Sequence, residues 1–232
     1  MTLKLGVPSR GRLMEMTFGW FDERDVMLRR VGSEREYAGE IKGVDGLELV
    51  LLSAQEIPRE LAEGRVHLGV TGTDLIREKI AAWETRVVEL VPMGFGQADL
   101  VIAVPHAWTD VETLDDLDAV AAQFRRNHGF RLRIATKYHR LTREFLREHG
   151  VADYQLVDSQ GATEGAVRNE TAEAVADISS TGETLRANRL RVLSDGLVHR
   201  SQATLLKSRG ADWGGTEKAT LEALLDRLGL AN

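Results

Sequence analysis

Short apolar runs recur along this chain, each stopping at a turn rich in Gly, Ser, Thr, Asp or Arg and giving way to a helix-period segment. That repetition restricts the architecture more than any other feature, because strands alternating with helices build a parallel α/β sheet covered by helices. Leu3, Leu5 and Val7 alternate with Lys4 and Gly6, the period of a first strand. Leu47–Leu52 reads as a strand covered on both faces. Ser53-Ala54-Gln55-Glu56 has capping-box form; the helix it opens carries Ile57 and Leu61 four apart, accommodates Pro58 in its first turn and stops near Gly64. Residues 66–70 predict another strand, 71–74 a turn, and 75–83 a helix with Leu75, Ile76, Ile80 and Trp83 on its apolar side.

The alternation continues through a strand at 100–104, ended by Pro105, and a helix marked by Leu114, Leu117 and Phe124 that ends near Gly129. Leu132, Ile134 and Thr136 mark the next strand, Leu141 and Phe145 the buried side of a helix ending near Gly150, and 174–178 a further strand. Beyond Leu193 the pattern weakens, Gly214-Gly215 reads as a hinge, and Leu221, Leu224, Leu225 and Leu228 predict a final amphipathic helix. There is no internal repeat or long linker, which fits two α/β lobes joined by short crossings.

Composition removes whole classes of function. The net charge of -6 over 232 residues offers no global basic field for nucleic acid. The absence of cysteine excludes disulfides, thiol catalysis and Cys-ligated metals, and fits a reducing compartment. No window approaches the roughly 20 apolar residues of a membrane span, and the first apolar run is too short for a signal peptide. The expectation is a cytoplasmic protein that binds neither membrane nor nucleic acid.

Three strand-end turns carry candidate chemistry. In Asp177-Ile178-Ser179-Ser180-Thr181-Gly182-Glu183-Thr184-Leu185, backbone N–H groups at a helix start, a flexible Gly and several hydroxyls suit a phosphate. Asp177 suits sugar hydroxyls or a metal-bound leaving group. The same segment reads equally as an ordinary turn in which Ser180 or Thr181 caps the helix. In Pro8-Ser9-Arg10-Gly11-Arg12-Leu13, two guanidiniums flanking a Gly suit a polyphosphate, or form a solvated basic turn. In Thr71-Gly72-Thr73-Asp74, Asp74 either caps the next helix or holds a ribose or amine while capping it. Ligands of open α/β sheets gather at the carboxyl ends of the strands, so three such turns point together to a polyanion or nucleotide site. No P-loop, Gly-x-Gly-x-x-Gly or His-Glu-x-x-His is present. Of the six scattered His, His67 and His139 are the two to follow, and Trp20, Trp83 and Trp108 fill core or interface space.

Read together, these segments resemble the catalytic subunit of the ATP phosphoribosyltransferase family. The family's Pro-Lys-Gly-Arg-Leu corresponds to the Pro8 to Leu13 turn, with one extra residue and Arg for Lys. Its Asp-x-Gly-Ile-x-Gly-x-Asp corresponds to His67-Leu68-Gly69-Val70-Thr71-Gly72-Thr73-Asp74. Arg133-Ile134-Ala135-Thr136-Lys137-Tyr138 is nearly verbatim, Leu141-Thr142-Arg143-Glu144-Phe145 continues it, and Asp177 to Leu185 with Asn188 matches Asp-x-x-x-Thr-Gly-x-Thr-Leu-x-x-Asn. The departures are Gly161-Ala162-Thr163-Glu164-Gly165-Ala166-Val167, which loses the family's Pro; Glu173 for an Asp; Ala98 for a frequent Cys; and Glu34-Arg35-Glu36, which keeps only the Arg of Ser-Arg-Lys.

The resemblance implies a two-lobed fold like the type II periplasmic binding proteins, with the active site in the interdomain cleft. Residues 1–94 and 185–232 would form one lobe and 95–184 the other, inserted in it. It implies condensation of ATP, through adenine N1, with phosphoribosyl pyrophosphate, and a pyrophosphate that leaves with Mg²⁺ rather than a metal held by the protein. No covalent nucleophile is required, in keeping with the missing Cys. Ser180, Thr181, Gly182 and Thr184 would hold the 5-phosphate, and Asp177 and Glu173 the ribose hydroxyls. Arg12, Arg35 and Arg10 would offset charge on the pyrophosphate, and Gly11, Gly72 and Asp74 would help hold ATP. With 39 residues after Leu193, the chain resembles the family's short form. Such subunits are homodimers that join a histidyl-tRNA-synthetase-like regulatory subunit in a hetero-octamer. The alternative is a non-catalytic binder with the same two-lobed fold, since fold alone does not decide function.

Overall fold

The computed structural model describes residues 2–31, 38–159 and 161–230. It divides into two compact units, Met1–Gly96 with Gln202–Asn232, and Gln97–Ser201. The first unit opens with β1 (Leu3–Pro8), α1 (Gly11–Asp22), β2 (Met27–Val31) and β3 (Ala38–Lys42). It continues through β4 (Leu47–Leu52), α2 (Ile57–Ala62), β5 (Leu68–Gly72), α3 (Thr73–Lys79), a 3-10 turn at Trp83–Thr85 and β6 (Val87–Pro92). The second unit holds β7 (Ala98–Pro105), α4 (Leu114–His128), β8 (Leu132–Thr136), α5 (His139–Glu148) and β9 (Tyr154–Asp158). It ends with α6 (Gly165–Arg168), β10 (Ala174–Ser179), α7 (Glu183–Ala187) and β11 (Leu190–Ser201). β12 (Ala203–Ser208) and α8 (Gly215–Arg227) return to the first unit.

The first sheet runs β2-β3-β4-β1-β5-β12-β6. Only its centre is the parallel sheet expected: β1 pairs parallel with β4 and β5. β12 enters antiparallel between β5 and β6, and β2-β3-β4 pair antiparallel. Parallel neighbours need a crossover helix, which α1 and α2 supply; β12 arrives from the other unit and is free to run the opposite way. The core contains Leu3, Leu5, Phe21, Leu68 and Leu205, all fully buried. Truncating such a side chain to Ala costs about 2–5 kcal/mol.

The second sheet runs β11-β7-β10-β8-β9. β10, β8 and β9 are parallel, while β7 lies antiparallel to both β10 and β11. α4 begins at a reciprocal capping box, Asp116 N–H donating to Thr113 Oγ1 at 3.2 Å and Thr113 N–H to Asp116 Oδ2 at 2.9 Å, and ends at Gly129 with φ +77°. Ile102, Leu114, Leu117, Leu132 and Ile134 fill its core.

Several expectations are corrected. β11 belongs to the second sheet through its pairing with β7, so the return to the first unit follows Ser201 and not residue 184. Gly214 is the N-cap of α8 and Gly215 its first residue, so the pair is a helix start and not a hinge. At the proposed Ser53 box, Glu56 accepts the Ser53 N–H at 3.0 Å, but the helix begins only at Ile57 with no side-chain cap. The strand expected at 66–70 lies at Leu68–Gly72, and the helix expected to reach Trp83 stops at Lys79. Among the described residues no helix is long and apolar enough to cross a membrane.

Candidate active site

The parallel strands of the second sheet finish side by side: Ala176 of β10 is level with Thr136 of β8, which is level with Asp158 of β9. Ligands of α/β sheets collect at such carboxyl ends. Asp177 stands here, half-buried, its Oδ1 accepting the Ile178 N–H at 2.9 Å. Burial pushes its carboxyl above the ordinary Asp range; the Ile178 N–H opposes this, the Glu164 carboxylate adds to it, and Lys137 and the Thr163 hydroxyl oppose it. Thr163 is buried and its Oγ1 accepts the Ser159 hydroxyl at 2.8 Å, while the Lys137 ammonium donates to the Gly161 carbonyl. Two carboxylates, an ammonium and hydroxyls make a surface suited to a polyol: the carboxylates accept from sugar hydroxyls and the lysine limits their repulsion.

Residues 179–184 follow directly. Gly182 has φ +72°, a left-handed conformation that favours glycine, and caps the five-residue α7. The loop satisfies its own donors: Gly182 N–H donates to Ser179 Oγ at 2.9 Å and Glu183 N–H to Thr181 Oγ1 at 3.3 Å. Ser180, Thr181 and Thr184 are exposed. Arg186 spans the loop, donating through Nη2 to the Thr181 carbonyl at 3.0 Å.

Glu173 does not join this group. It precedes β10 at the amino end, and four residues of strand separate it from Asp177 by about 13 Å. Its carboxylate accepts the Arg133 backbone N–H at 2.7 Å and the guanidinium Nη2–H at 2.5 Å. This geometry does not support the ribose role expected of Glu173, because Arg133 occupies its oxygens. An acid that does act on Asp177 is Glu164. Lys137, Ser159, Thr163 and Glu164 carried no role in the sequence reading. Lys137 is within reach of sequence reasoning, since it follows a predicted strand, whereas Ser159, Thr163 and Glu164 follow β9, which periodicity does not reveal.

In the first unit, Arg10 is the N-cap of α1 and Gly11, at φ +74°, opens it. The first turn holds no acid, and Arg10 makes no capping side-chain bond. Arg10 and Arg12 are exposed and, among the described residues, have no side-chain partner. Cations at a helix N-terminus oppose its dipole, an arrangement that an anion relieves. Gly72 is the N-cap of α3, and Asp74 lies buried in its first turn with interactions of its own, so Asp74 is not the cap. Arg35 lies outside the described residues.

His67 is structural: its Nδ1 accepts the Lys4 N–H at 3.1 Å, which leaves Nε2–H to donate to the Asp212 carbonyl at 3.0 Å. His139 Nε2 lies 2.8 Å from Asp158 Oδ1 at the carboxyl end of β9. Trp20 is buried in the first core, while Trp83 and Trp108 pack partly against cores of the first and second units. No group of three or more His, Asp or Glu among the described residues is placed to hold a metal ion.

Comparison with known proteins bears on what this arrangement does. The family profile described as "HisG: ATP phosphoribosyltransferase" matches residues 53–229. An ATP phosphoribosyltransferase of Cereibacter sphaeroides is 69% identical over 230 residues, which span 99% of this chain and 97% of that protein. A solved ATP phosphoribosyl transferase (HisG:HisZ) complex from Thermotoga maritima contains a chain with TM-score 0.74 at 22% identity, covering 98% of this chain and 96% of its own. A histidine kinase sensor domain with similarity to periplasmic binding proteins matches with TM-score 0.53 at 12% identity, over 98% of this chain and 89% of its own. Both structures speak to the two-lobed α/β fold.

Proposed function

The chain belongs to the ATP phosphoribosyltransferase family, and from that premise we propose a division of labour among its strand-end turns. The activity is the first step of histidine biosynthesis. Adenine N1 of ATP bonds to C1 of the ribose of phosphoribosyl pyrophosphate, the bond from C1 to the pyrophosphate oxygen breaks, and the bonding pair leaves on pyrophosphate. Positive charge builds on C1 and the ring oxygen, and negative charge on the departing group.

Asp177 and Glu164 accept the ribose hydroxyls and hold negative charge near the developing cation, the interaction an enzyme gains most from preorganising. Residues 179–184 take the 5-phosphate: the hydroxyls of Ser180, Thr181 and Thr184 turn their protons to it. The N–H groups of Gly182 and Glu183 exchange internal acceptors for phosphate oxygens. Arg12 and Arg10, with Arg35, offset the charge on pyrophosphate, helped by the N–H groups at the start of α1. Gly11, Gly72 and Asp74 help hold ATP. A metal ion belongs to the family's chemistry; here it is Mg²⁺, entering and leaving on the phosphates as part of the substrate. The protein works in the cytoplasm as a homodimer, within a hetero-octamer with a histidyl-tRNA-synthetase-like regulatory subunit. The Thermotoga maritima HisG:HisZ complex supports the existence of such a partner.

The observation that carries the assignment is Asp177, a half-buried carboxyl raised by burial beside Glu164 at the end of a parallel strand. The test mixes the chain with ATP, phosphoribosyl pyrophosphate and Mg²⁺, with and without the regulatory partner, and follows phosphoribosyl-ATP. Arg12→Ala should lower kcat by about 10²–10³-fold, the scale of losing one transition-state charge contact, with an unchanged melting curve. Near-normal turnover in that variant would remove Arg12 from the mechanism.

A further inference from the structure

The second unit contains a cavity of about 970 Å³ lined by none of the residues assigned to the reaction above. It is lined by Pro105 at the end of β7, by Val167 and Arg168 of α6, by Arg186 of α7, and by Arg189 and Leu190 where β11 begins. β7 runs antiparallel to β10, and Ser179 pairs with Asp99 while Val175 pairs with Ala103. Pro105 therefore lies at the amino end of β10, about 17 Å of strand from its carboxyl end. The cavity is a different place from the Asp177 site.

Its lining is one-signed. Among the described residues three arginines line it and no Asp or Glu does, in a unit whose 16 acidic and 13 basic residues give a net charge of -3. Among the described residues, Arg168 and Arg189 have no side-chain partner. Arg189 adopts φ +56°, which disfavours a residue with a Cβ, and its backbone is pinned there. Its N–H donates to Arg186 O at 3.0 Å, and its carbonyl accepts the His106 N–H at 2.8 Å. Pro105, Val167 and Leu190 supply an apolar wall beside these charges. The volume is within the range of small-molecule sites, and clustered guanidiniums select phosphate oxygens.

We propose that this cavity is a second anion site, taking a small phosphate ester with an apolar or aromatic body, and that Arg186 couples it to the loop at 179–184. Arg186 lines the cavity and also donates to the Thr181 carbonyl, so an anion that draws its guanidinium away removes a tether from that loop. The coupling rests on the reading of the loop as the 5-phosphate grip; the binding site does not.

Calorimetric titration of the full chain with 1-naphthyl phosphate tests both halves. The expected result is one saturable site that persists in Asp177→Asn and weakens at least tenfold in Arg168→Glu/Arg189→Glu. Arg168→Ala/Arg189→Ala serves if the charge reversal melts early. No binding to the parent chain, or equal affinity in the double variants, overturns the site. For the coupling, the probe should raise the KM for phosphoribosyl pyrophosphate to a plateau in the parent chain and not in the double variant. A flat KM overturns the coupling, and a rise without a plateau marks plain competition at the active site and overturns it too.

Discussion

Glu173 and Asp177 flank the same stretch of β10, four residues apart, and are built in opposite ways. Glu173 at the amino end is closed: a backbone N–H and a guanidinium occupy its oxygens, and only 14% of its side chain is exposed. Asp177 near the carboxyl end is open: burial and the Glu164 carboxylate outweigh the Ile178 N–H, Lys137 and the Thr163 hydroxyl, so its carboxyl stays raised. The closed carboxylate fastens the sheet. The open one is held in a state that a ligand bearing hydroxyls relieves, which is how a fold sets stability aside for function.

The most severe test of that contrast is Asp177→Asn. Losing a charged acceptor should lower kcat/KM for phosphoribosyl pyrophosphate about 100-fold, measured by steady-state kinetics. A change of less than threefold would mean that Asp177 is as structural as Glu173. Glu173→Gln should reverse the pattern, losing about 2 kcal/mol of stability in urea melts while turnover stays within about threefold. A large loss of activity at full stability would return Glu173 to the site. Gly182→Ala tests the loop that follows them: a Cβ at φ +72° would meet Arg186 Nη1 at 2.8 Å, and strain of about 1 kcal/mol should appear as a several-fold rise in KM. An unchanged KM would detach the loop from the phosphate.

The smallest effect concerns pH. A carboxyl whose folded pKa is raised binds its proton more tightly in the native state. Ionised Asp177 therefore detracts from stability above that raised value, and the loss disappears as pH falls through the window down to the ordinary 3.8. Asp177→Asn should accordingly melt slightly higher than the parent at pH 7, with the gap closing toward pH 3.5. A variant less stable at pH 7 would show that the protein's own groups satisfy the ionised carboxylate.

Legibility in the sequence followed local signals. The strands Leu3–Pro8, Leu47–Leu52 and Leu132–Thr136 and the helix Leu114–His128 are readable because their periodicity and caps are complete within the segment. β12 is not readable, because Ala203–Leu206 is buried without alternation and its place between β5 and β6 is fixed by residues more than a hundred positions away. β11 hides its period behind two register shifts near Leu197. For the site, Asp177 and the Gly182 turn were legible from their residue types. The choice between Glu173 and Glu164 was not, since both are acids near Asp177 in sequence and only the direction of the strand separates them.

The insertion of β12 between β5 and β6 also orders events at the ribosome. The chain from 97 to 201 can close its sheet as soon as it emerges. The first unit, although synthesised earlier, must wait with two strand edges open until Ser208 has cleared the exit tunnel. Nascent chains long enough to bring Ser201, but not Ser208, out of the tunnel should therefore present the N-terminal segment to chaperones and proteases while the later-made unit is already folded.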